Sequence, residues 1–266
     1  MRSYLTIIKQ CLICLFITGC SSASSLFAIK ASQLGFETSF IQGLNYKHTL
    51  YKNKASHNGV LHVYLGGDGT PWFKGRYITR DPTPLKPIML DLMQRDQSAA
   101  IYLGRPCYHQ QKMPANCDHS LWTNKRYSKI VVNSMATALK HYINQYGIQK
   151  VSLFGFSGGG TLAMLLAPKI KEVDRVVTLA GNLDTDAWTA AHGYAPLSGS
   201  LNPALQPPLA ASIQQLHYIG EKDRNIMLKL VKPVIKRQKN AQLIVLKDAD
   251  HHCCWLKHWD KFLESL

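Results

Sequence analysis

The sequence predicts an α/β fold in which a mostly parallel central sheet carries helices on both faces. Short apolar segments of strand length alternate along the chain with segments whose apolar residues recur every three or four positions, the spacing of an amphipathic helix. The apolar segments are bounded by glycine, as is typical of strands buried on both faces. Because parallel strands end at one edge of such a sheet, we expect the chemistry at the carboxyl ends of the strands.

The predicted elements follow this alternation in order. Residues 36–43 and 47–51 alternate in polarity and predict an antiparallel pair at the edge of the sheet. Further strands are predicted at 61–65, 99–103, 150–154, 175–179, 215–219 and 242–246. Helices are predicted across 131–143, ended by Gly147, over 158–167, stopped by Pro168, and over 254–263.

Two connections are longer than the rest, 104–128 and 181–211. Irregular loops of this length are uncommon in a compact domain unless they have a use. We therefore expect cap-like loops that form walls of a pocket. The alternative is that they only decorate the surface.

Composition narrows the class of protein. The chain has 266 residues, 46% of them hydrophobic and 18% charged, which predicts a single domain with a substantial core rather than a disordered chain. The formal net charge of +15 is compatible with contact with anionic lipid, polysaccharide or acidic substrates, but it does not by itself predict such contact. The lysines and arginines are scattered rather than clustered, so nucleic acid is not an expected partner.

The N-terminal residues predict export. Arg2 and Lys9 precede an apolar run at 11–17 that is too short to span a bilayer, so residues 1–19 are predicted to be a signal peptide. The run ends in a segment that resembles a bacterial lipobox, with Cys20 as the lipidated residue. Residues 20–35 would then form a flexible polar tether, and the protein would be held in the cell envelope, facing the periplasm or surface from the outer membrane. A cleaved signal with an incidental cysteine is the alternative.

Four cysteines remain once the signal and Cys20 are set aside. They are Cys107, Cys117, Cys253 and Cys254. Export to an oxidising compartment favours a disulfide that joins Cys107 to Cys117 across a short loop. The pairing of the adjacent Cys253 and Cys254 stays open, because a disulfide between neighbours is strained and uncommon.

Ser157 is the predicted nucleophile. It lies at the centre of Gly155-Phe156-Ser157-Gly158-Gly159, which fits the G-x-S-x-G pattern of a sharp strand-to-helix turn. An apolar strand leads into the turn and a helix of small residues leads out. A phosphate-binding loop is the competing interpretation, but the spacing of its glycines and its Lys-Ser/Thr ending are missing.

A serine nucleophile needs a histidine base and an acid that orients it. Asp223 follows a predicted strand in a G-x-x-D turn, and His251 and His252 lie in the loop after the next strand, which gives the chain order serine, acid, histidine. Asp184 and Asp186 are alternative acids in the second long loop.

The oxyanion that forms during catalysis needs two hydrogen-bond donors. The backbone amide of Gly158 is one candidate, and the amide of Gly67 or Asp68 in the glycine-rich loop after strand 61–65 is the other. The Asp68 carboxylate is interpreted as part of the loop's structure rather than as the catalytic acid.

With these residues in view, the chain resembles the α/β-hydrolase superfamily over residues 36–266. It is similar, more closely, to bacterial, often lipoprotein-type hydrolases that share several motifs. These motifs are Gly67-Asp68-Gly69, Arg105-Pro106-Cys107, Trp122-Thr123-Asn124-Lys125-Arg126-Tyr127-Ser128, the serine turn and His251-His252-Cys253-Cys254-Trp255. The resemblance implies an acyl-enzyme reaction without a cofactor, and it selects His251 over His252 as the base.

The predicted function is hydrolysis of a small-molecule or lipid ester by a Ser157-Asp223-His251 triad, as in a carboxylesterase or lipase. Amidase, peptidase and thioesterase chemistry are alternatives on the same triad. A catalytically inactive envelope binding protein is a further alternative. A metal site built from the cysteine and histidine residues at 251–254 is disfavoured, because adjacent ligands cannot all face one tetrahedral ion.

Overall fold

The computed structural model describes residues 22–264. The predictions for the signal peptide, residues 1–19, and for lipid attachment at Cys20 lie outside these residues. In the described part of the chain, no helix is both long enough and apolar enough to cross a membrane.

An eight-stranded sheet forms the centre of the molecule, in the order β1-β2-β6-β3-β7-β8-β9-β10. The first two strands pair antiparallel with each other and β2 pairs antiparallel with β6, whereas the other neighbours are parallel. The strands of this sheet are β1 (Glu37–Gln42), β2 (Lys47–Lys52), β3 (Val60–Leu65), β6 (Ala100–Leu103), β7 (Lys150–Phe156), β8 (Val173–Leu179), β9 (Gln214–Gly220) and β10 (Ala241–Leu246).

Seven α-helices accompany the strands in the described residues. They are α1 (Ala23–Gln33), α2 (Ile88–Met93), α3 (Lys129–Tyr146), α4 (Gly158–Leu166), α5 (Thr185–His192), α6 (Leu228–Lys236) and α7 (Trp255–Glu264). This mostly parallel sheet with helices confirms the predicted fold class. Gly147 ends α3 in the left-handed conformation, with φ of 63°.

Helix α1 corrects one prediction. The flexible tether proposed for residues 20–35 is wrong from Ser22 onward, because this segment folds as a helix whose Phe27 and Ala31 are buried. Ser22 caps the helix by accepting a hydrogen bond from the amide of Ser25 at 3.1 Å. The serines thus begin a helix instead of forming a linker, and the apolar pair four residues apart holds it on the sheet.

A second, smaller sheet is a hairpin of β4 (Trp72–Phe73) and β5 (Tyr77–Ile78), and residues 72–78 are called the hairpin below. Its turn contains Lys74 and Gly75 with φ of 51° and 66°. Two successive residues with positive φ are the signature of the tight turn that matches the twist of antiparallel strands. The hairpin follows β3 by a few residues and stands outside the main sheet.

The two long connections are partly ordered into helices. Connection 104–128 contains a 3-10 turn at His119–Trp122 and a disulfide between Cys107 and Cys117. Connection 181–211 contains α5 and a second 3-10 turn at Pro203–Leu205. Both begin at the carboxyl edge of the sheet, after β6 and β8, which is where they can reach the site.

Candidate active site

Ser157 lies at the turn between β7 and α4 in a strained backbone conformation, with φ of 52° and ψ of −120°. Its amide donates to the carbonyl oxygen of Leu179 on β8 at 2.9 Å, which fixes the turn to the sheet. A side chain at Gly155 would overlap the backbone of Gly159, so only glycine fits there. Strain of about 1–3 kcal/mol at a single residue is typical of functional sites, where the surrounding structure enforces it.

His251 lies in the loop that joins β10 to α7, and its ring connects the serine to an acid. Nε2 lies 3.2 Å from Oγ of Ser157, and Nδ1 lies 2.8 Å from Oδ2 of Asp223. The indole nitrogen of Trp255 donates to the backbone carbonyl of His251 at 3.2 Å. Because Trp255 is fully buried at the start of α7, this bond ties the histidine loop to the core.

Asp223 is held just beyond β9 with its carboxylate out of solvent. Oδ1 accepts the backbone amides of Asn225 and Ile226, each at 2.8 Å, which leaves Oδ2 for the imidazole of His251. An ionised carboxylate can only accept, so Nδ1 carries a proton and Nε2 is free to accept one. The arrangement therefore places an acceptor nitrogen beside the serine hydroxyl.

Asn225 is a residue of the site that sequence analysis missed. Its side-chain Nδ2 lies 3.0 Å from Nε2 of His251, and its Oδ1 accepts from the indole of Trp188 at 3.1 Å. His192 lies 2.8 Å from the backbone carbonyl of Asn225 through Nε2. Asn225 thus joins the histidine to α5 in the second long connection. Its position two residues after Asp223, in the same turn, is the signal that could have identified it.

The glycine-rich loop after β3 lies directly over the serine turn. A side chain at Gly67 would come within 3.5 Å of Cβ of Ser157, and one at Gly158 would overlap the carboxyl group of Asp68. The structure therefore brings Gly67, Asp68 and Gly158 to the nucleophile, as the predicted oxyanion site requires. The donation of hydrogen bonds to an oxyanion stays a prediction.

The partly buried Asp68 carboxylate is the centre of an ionic cluster with two buried arginines. Oδ1 pairs with Nη1 of Arg105 and Oδ2 with Nη1 of Arg126, both at 2.8 Å, while the hydroxyl of Tyr127 donates at 2.6 and 2.7 Å. Burial raises the pKa of the Asp68 carboxyl, but Arg126 and Arg105 outweigh it and lower the pKa to about 2. Asp68 is thus ionised at neutral pH and pins the loop.

This cluster explains two of the motifs found in the sequence. Arg105 comes from the Arg-Pro-Cys segment, and Arg126 and Tyr127 come from the Trp-Thr-x-x-Arg-Tyr-Ser segment. Arg105 also donates to the carbonyl of Gly66 at 3.0 Å. The two motifs therefore hold the glycine-rich loop against Ser157 from both ends of connection 104–128. This role of the two arginines depends on contacts with Asp68, which lies 37 and 58 residues away along the chain, so the motifs alone do not reveal it.

A large cleft opens from the serine and the histidine. Its volume is about 1050 Å³, and both long connections and the hairpin contribute walls. Most of the walls are apolar, which suits the apolar part of a substrate. The apolar lining comes from Phe27, Pro71, Trp72, Pro84, Leu85, Ile88, Met89, Phe156, Trp188, Tyr194, Pro196 and Leu197.

The alternative acids, Asp184 and Asp186, and the alternative base, His252, do not take part in the contacts with Ser157 that the structure describes. The Asp184 carboxylate caps α5 by accepting the amide of Ala187 at 3.1 Å, and it also accepts from Asn202 at 2.9 Å. Asp186 lies in the first turn of the same helix. The exposed His252 packs its ring against His251, at 5.0 Å between centroids. None of the three makes the serine contact that His251 makes among the described residues.

The cysteines that follow the histidines are joined to each other. A disulfide links the neighbours Cys253 and Cys254, and it begins two residues after His251. The alternative metal site would have used these sulfurs as thiolates. Within residues 22–264, no group of three or more histidine, cysteine or acidic side chains lies close enough to hold a metal ion.

Comparisons with known proteins identify a family and a fold. A family model described as serine hydrolase (FSH1) matches residues 93–259, more than half of the chain. A comparison with curated protein sequences finds none that matches.

Solved structures share the fold at low sequence identity. The esterase Pf2001 of Pyrococcus furiosus superposes with a TM-score of 0.60 at 16% identity, covering 88% of this chain and 91% of the esterase. A membrane phospholipase A described as a bacterial virulence factor gives 0.58 at 14% identity, with 91% and 90% covered. An α/β serine hydrolase homologue from Coxiella burnetii gives 0.54 at 13%, with 86% and 94% covered. Because the family model covers more than half of its residues, this chain belongs to the FSH1 serine hydrolase family.

Proposed function

We propose that the protein cleaves carboxylic ester bonds of apolar substrates through a covalent acyl-enzyme. One observation carries the proposal: Asp223, His251 and Ser157 form a continuous hydrogen-bonded chain that ends in an apolar cleft. The three residues predicted from the sequence thus have a geometry suited to nucleophilic catalysis.

The first half-reaction forms the acyl-enzyme. Oγ of Ser157 attacks the ester carbonyl while its proton passes to Nε2 of His251, and the Asp223 carboxylate stabilises the resulting imidazolium. The carbonyl electrons move to oxygen, and the amides of Gly158 and of Gly67 or Asp68 donate to this oxyanion. When the C–O bond breaks, the leaving alkoxide takes the proton from Nε2 and departs as the alcohol.

The second half-reaction releases the acid. A water molecule gives a proton to Nε2 of His251 and attacks the acyl carbonyl. The second tetrahedral species collapses, the Ser157 oxygen leaves, and it recovers the proton from Nε2. The carboxylic acid is then released, and no cofactor is needed at either stage.

The walls of the cleft favour esters over the alternatives. An amidase or peptidase site needs polar groups to bind the substrate's amides along its length, whereas aromatic and aliphatic side chains make up most of this lining. Esterase and phospholipase activities also occur among the fold neighbours. We expect the preferred length of the substrate's acyl group to be set by how it fits a cleft of about 1050 Å³.

The test is turnover of a series of p-nitrophenyl esters of increasing acyl length by the wild type and Ser157→Ala. We expect turnover by the wild type and a loss of at least about a thousandfold in the variant, since a triad fails as a unit. Circular dichroism checks that the variant folds. Near-native turnover by Ser157→Ala would remove the proposal, and a wild type inactive on every ester would favour the binding-protein alternative.

We further propose that residues 1–19 direct export and that Cys20 receives a lipid, which places the protein in the cell envelope. Support comes from the charged, apolar and small-residue segments that precede Cys20. Metabolic labelling with an alkyne fatty acid tests this. Label should enter the wild type and be absent from Cys20→Ser, and equal labelling of the two would contradict lipidation at this residue.

A further inference from the structure

The hairpin exposes four large apolar side chains beside the mouth of the cleft. The exposed fractions are 41% for Trp72, 55% for Phe73, 60% for Tyr77 and 42% for Ile78. Trp72 is paired with Ile78 across the strands, and Phe73 with Tyr77. Because neighbours along a strand point to opposite faces, one pair occupies each face, and both faces are exposed. Neither face of the hairpin is therefore covered by the core.

The base of the hairpin is nevertheless firmly attached. The amide of Thr79 donates to the carbonyl of Pro71 at 3.0 Å, and the buried indole of Trp122 donates to the carbonyl of Thr79 at 3.1 Å. The hydroxyl of Thr79 donates to the carbonyl of Thr70. These bonds hold the apolar tip in a fixed position next to the cleft, which Trp72 also lines.

The same segment is strongly cationic. Lys74, Arg76 and Arg80 lie within residues 70–80, a stretch that contains no acid. The ammonium group of Lys74 lies 5.4 Å from the ring centre of Phe73, and the guanidinium of Arg76 lies 5.9 Å from that of Tyr77. None of these three cations forms an ion pair within the part of the chain that the structure describes.

We propose that the hairpin is an interfacial anchor that inserts into the surface of an anionic lipid membrane and sets the mouth of the cleft against it. Tryptophan and tyrosine favour the boundary between lipid headgroups and acyl chains, because their rings combine apolar and polar parts. Unpaired lysine and arginine around them match a negatively charged lipid surface. The exposed Leu85 and Lys86, which also line the cleft, extend the surface toward the site.

The start of α1 fits the same orientation. The amide of Ser24 donates to Oδ2 of Asp81 at 2.7 Å, and its hydroxyl lies 3.0 Å from that of Thr83. The N-terminus of α1 is thus bound to Asp81, the residue that follows Arg80 in the chain. The proposed lipid on Cys20 lies only two residues before Ser22, and a chain spans at most about 3.5 Å per residue. Lipid and hairpin would therefore act on one region of the surface.

Membrane binding by the hairpin is independent of the proposed ester hydrolysis. If both hold, the substrate would be an ester presented within a lipid layer, and this consequence rests on the proposed function. Two assays separate the two ideas. Sedimentation with vesicles measures binding alone, and turnover of a soluble short-chain ester measures catalysis alone. Failure of either one leaves the other standing.

The test compares two matched double variants of the chain from Ser22 onward, which contains the whole described fold. Phe73→Thr/Tyr77→Thr removes the more exposed pair, neither member of which lines the cleft. Phe40→Thr/Val245→Thr removes two exposed apolar residues of the strands β1 and β10, at opposite edges of the main sheet. Threonine suits strand positions in both cases. Thermal unfolding and soluble-ester turnover check that both variants fold.

We expect wild type and the edge-strand control to bind vesicles of phosphatidylcholine and phosphatidylglycerol in a 3:1 ratio equally well. The hairpin variant should bind at least about tenfold more weakly, since it loses two aromatic side chains that would insert into the lipid. A third variant, Lys74→Asn/Arg76→Gln/Arg80→Gln, should lose the preference for these vesicles over pure phosphatidylcholine. The proposal is overturned if wild type binds neither vesicle or if the hairpin variant binds as wild type does.

Discussion

Two buried histidine–aspartate pairs lie at opposite ends of the parallel strands, one at their amino ends and one at their carboxyl ends. In one, Nδ1 of His251 lies 2.8 Å from Oδ2 of Asp223. In the other, Nδ1 of His62 lies 2.6 Å from Oδ2 of Asp96, which also accepts the hydroxyl of Tyr64 at 2.6 Å. The two pairs share residue types, ring atom and burial, so none of these features distinguishes a functional pair from a structural one.

Position on the sheet makes the difference. Asp96 precedes β6 and so lies at the amino ends of the parallel strands, where the His62 ring packs on Phe154 at 5.0 Å. Asp223 and His251 follow β9 and β10 at the carboxyl ends, where Ser157 and the cleft meet the second ring nitrogen. A histidine–aspartate pair becomes chemically useful only when its free nitrogen faces a nucleophile and a space for substrate.

The largest expected effect comes from removing the histidine of the carboxyl-edge pair. His251→Ala should lower the turnover of an activated ester by at least about ten-thousandfold, because Nε2 of His251 is the basic nitrogen within hydrogen-bond distance of Ser157 Oγ among the described residues. The neighbouring His252→Ala is the matched control and should keep turnover within about threefold. Separate steady-state assays with folding checked by circular dichroism decide the matter. The reverse pattern would move the base to His252.

Exchanging each acid for its amide tests the comparison directly. Asp223→Asn should lower turnover by about a thousandfold or more, because the amide favours the wrong tautomer of His251. Asp96→Asn should leave turnover near native and lower the free energy of unfolding by about 1–3 kcal/mol, the range for a damaged buried hydrogen bond. Kinetics and urea denaturation of both variants provide the measurement. Equal loss of turnover in the two variants would show that the pairs are not functionally different.

Asp68 is a third acid of interest, partly buried and close to the serine but outside the triad. Asp68→Asn leaves Arg105 and Arg126 without a carboxylate, which should cost about 3–5 kcal/mol of stability. We also expect kcat to fall by about tenfold to a hundredfold, because the Gly67 loop loses its anchor over Ser157. If kcat is unchanged in folded protein, the cluster serves stability alone. Urea denaturation and a kcat and KM analysis with a soluble ester separate the two effects.

The smallest expected effect concerns two buried histidines, His48 and His217, for which the structure shows no carboxylate partner among the described residues. They should affect only the pH dependence of the free energy of unfolding. Burial lowers the pKa of His48 and of His217 to about 4, below the ordinary 6.5. As pH falls from 6.5 toward 4, the unfolded chain takes up protons that the folded protein does not, so stability decreases with acid. Each such histidine contributes about 1.4 kcal/mol per pH unit within this window.

His48→Gln tests this dependence. The variant should show a shallower decline of the free energy of unfolding between pH 6.5 and 4, measured by urea denaturation at several pH values. Asp68 does not interfere, because its carboxyl has a pKa of about 2 when folded and loses its contribution only below the ordinary value near 3.8. An unchanged slope would mean that His48 is protonated in the folded protein.

The carboxyl edge of the sheet was predictable from the sequence to a large degree. Three residues were predicted from local features: the strand and glycines around Ser157, and the loops after β9 and β10. In the structure these three residues form a chain of two hydrogen-bond contacts. The signals were local: an apolar strand followed by a special turn or an acid. Such signals survive because parallel strands bring their ends together whatever the loops between them do.

Features that depend on distant contacts were missed. The serine-rich run after Cys20 predicts a flexible polar tether, yet Ser22 caps helix α1 and Phe27 packs between Tyr51 and Tyr102 at 5.2 Å from each ring. The hairpin was missed because its strands have only two residues each. Asn225 is held in the site by Trp188, which lies on α5, a helix that the sequence analysis does not predict within the second long connection.

The most direct test of the account is labelling by a fluorophosphonate probe, which reacts with an activated serine. We expect one probe per chain, mapped by mass spectrometry to Ser157, with Asp96→Asn labelled at a near-native rate. His251→Ala and Asp223→Asn should each label at least about a hundredfold more slowly. Labelling at another residue, absence of labelling in the wild type, or equal labelling in His251→Ala would contradict the claim that the carboxyl-edge pair activates Ser157.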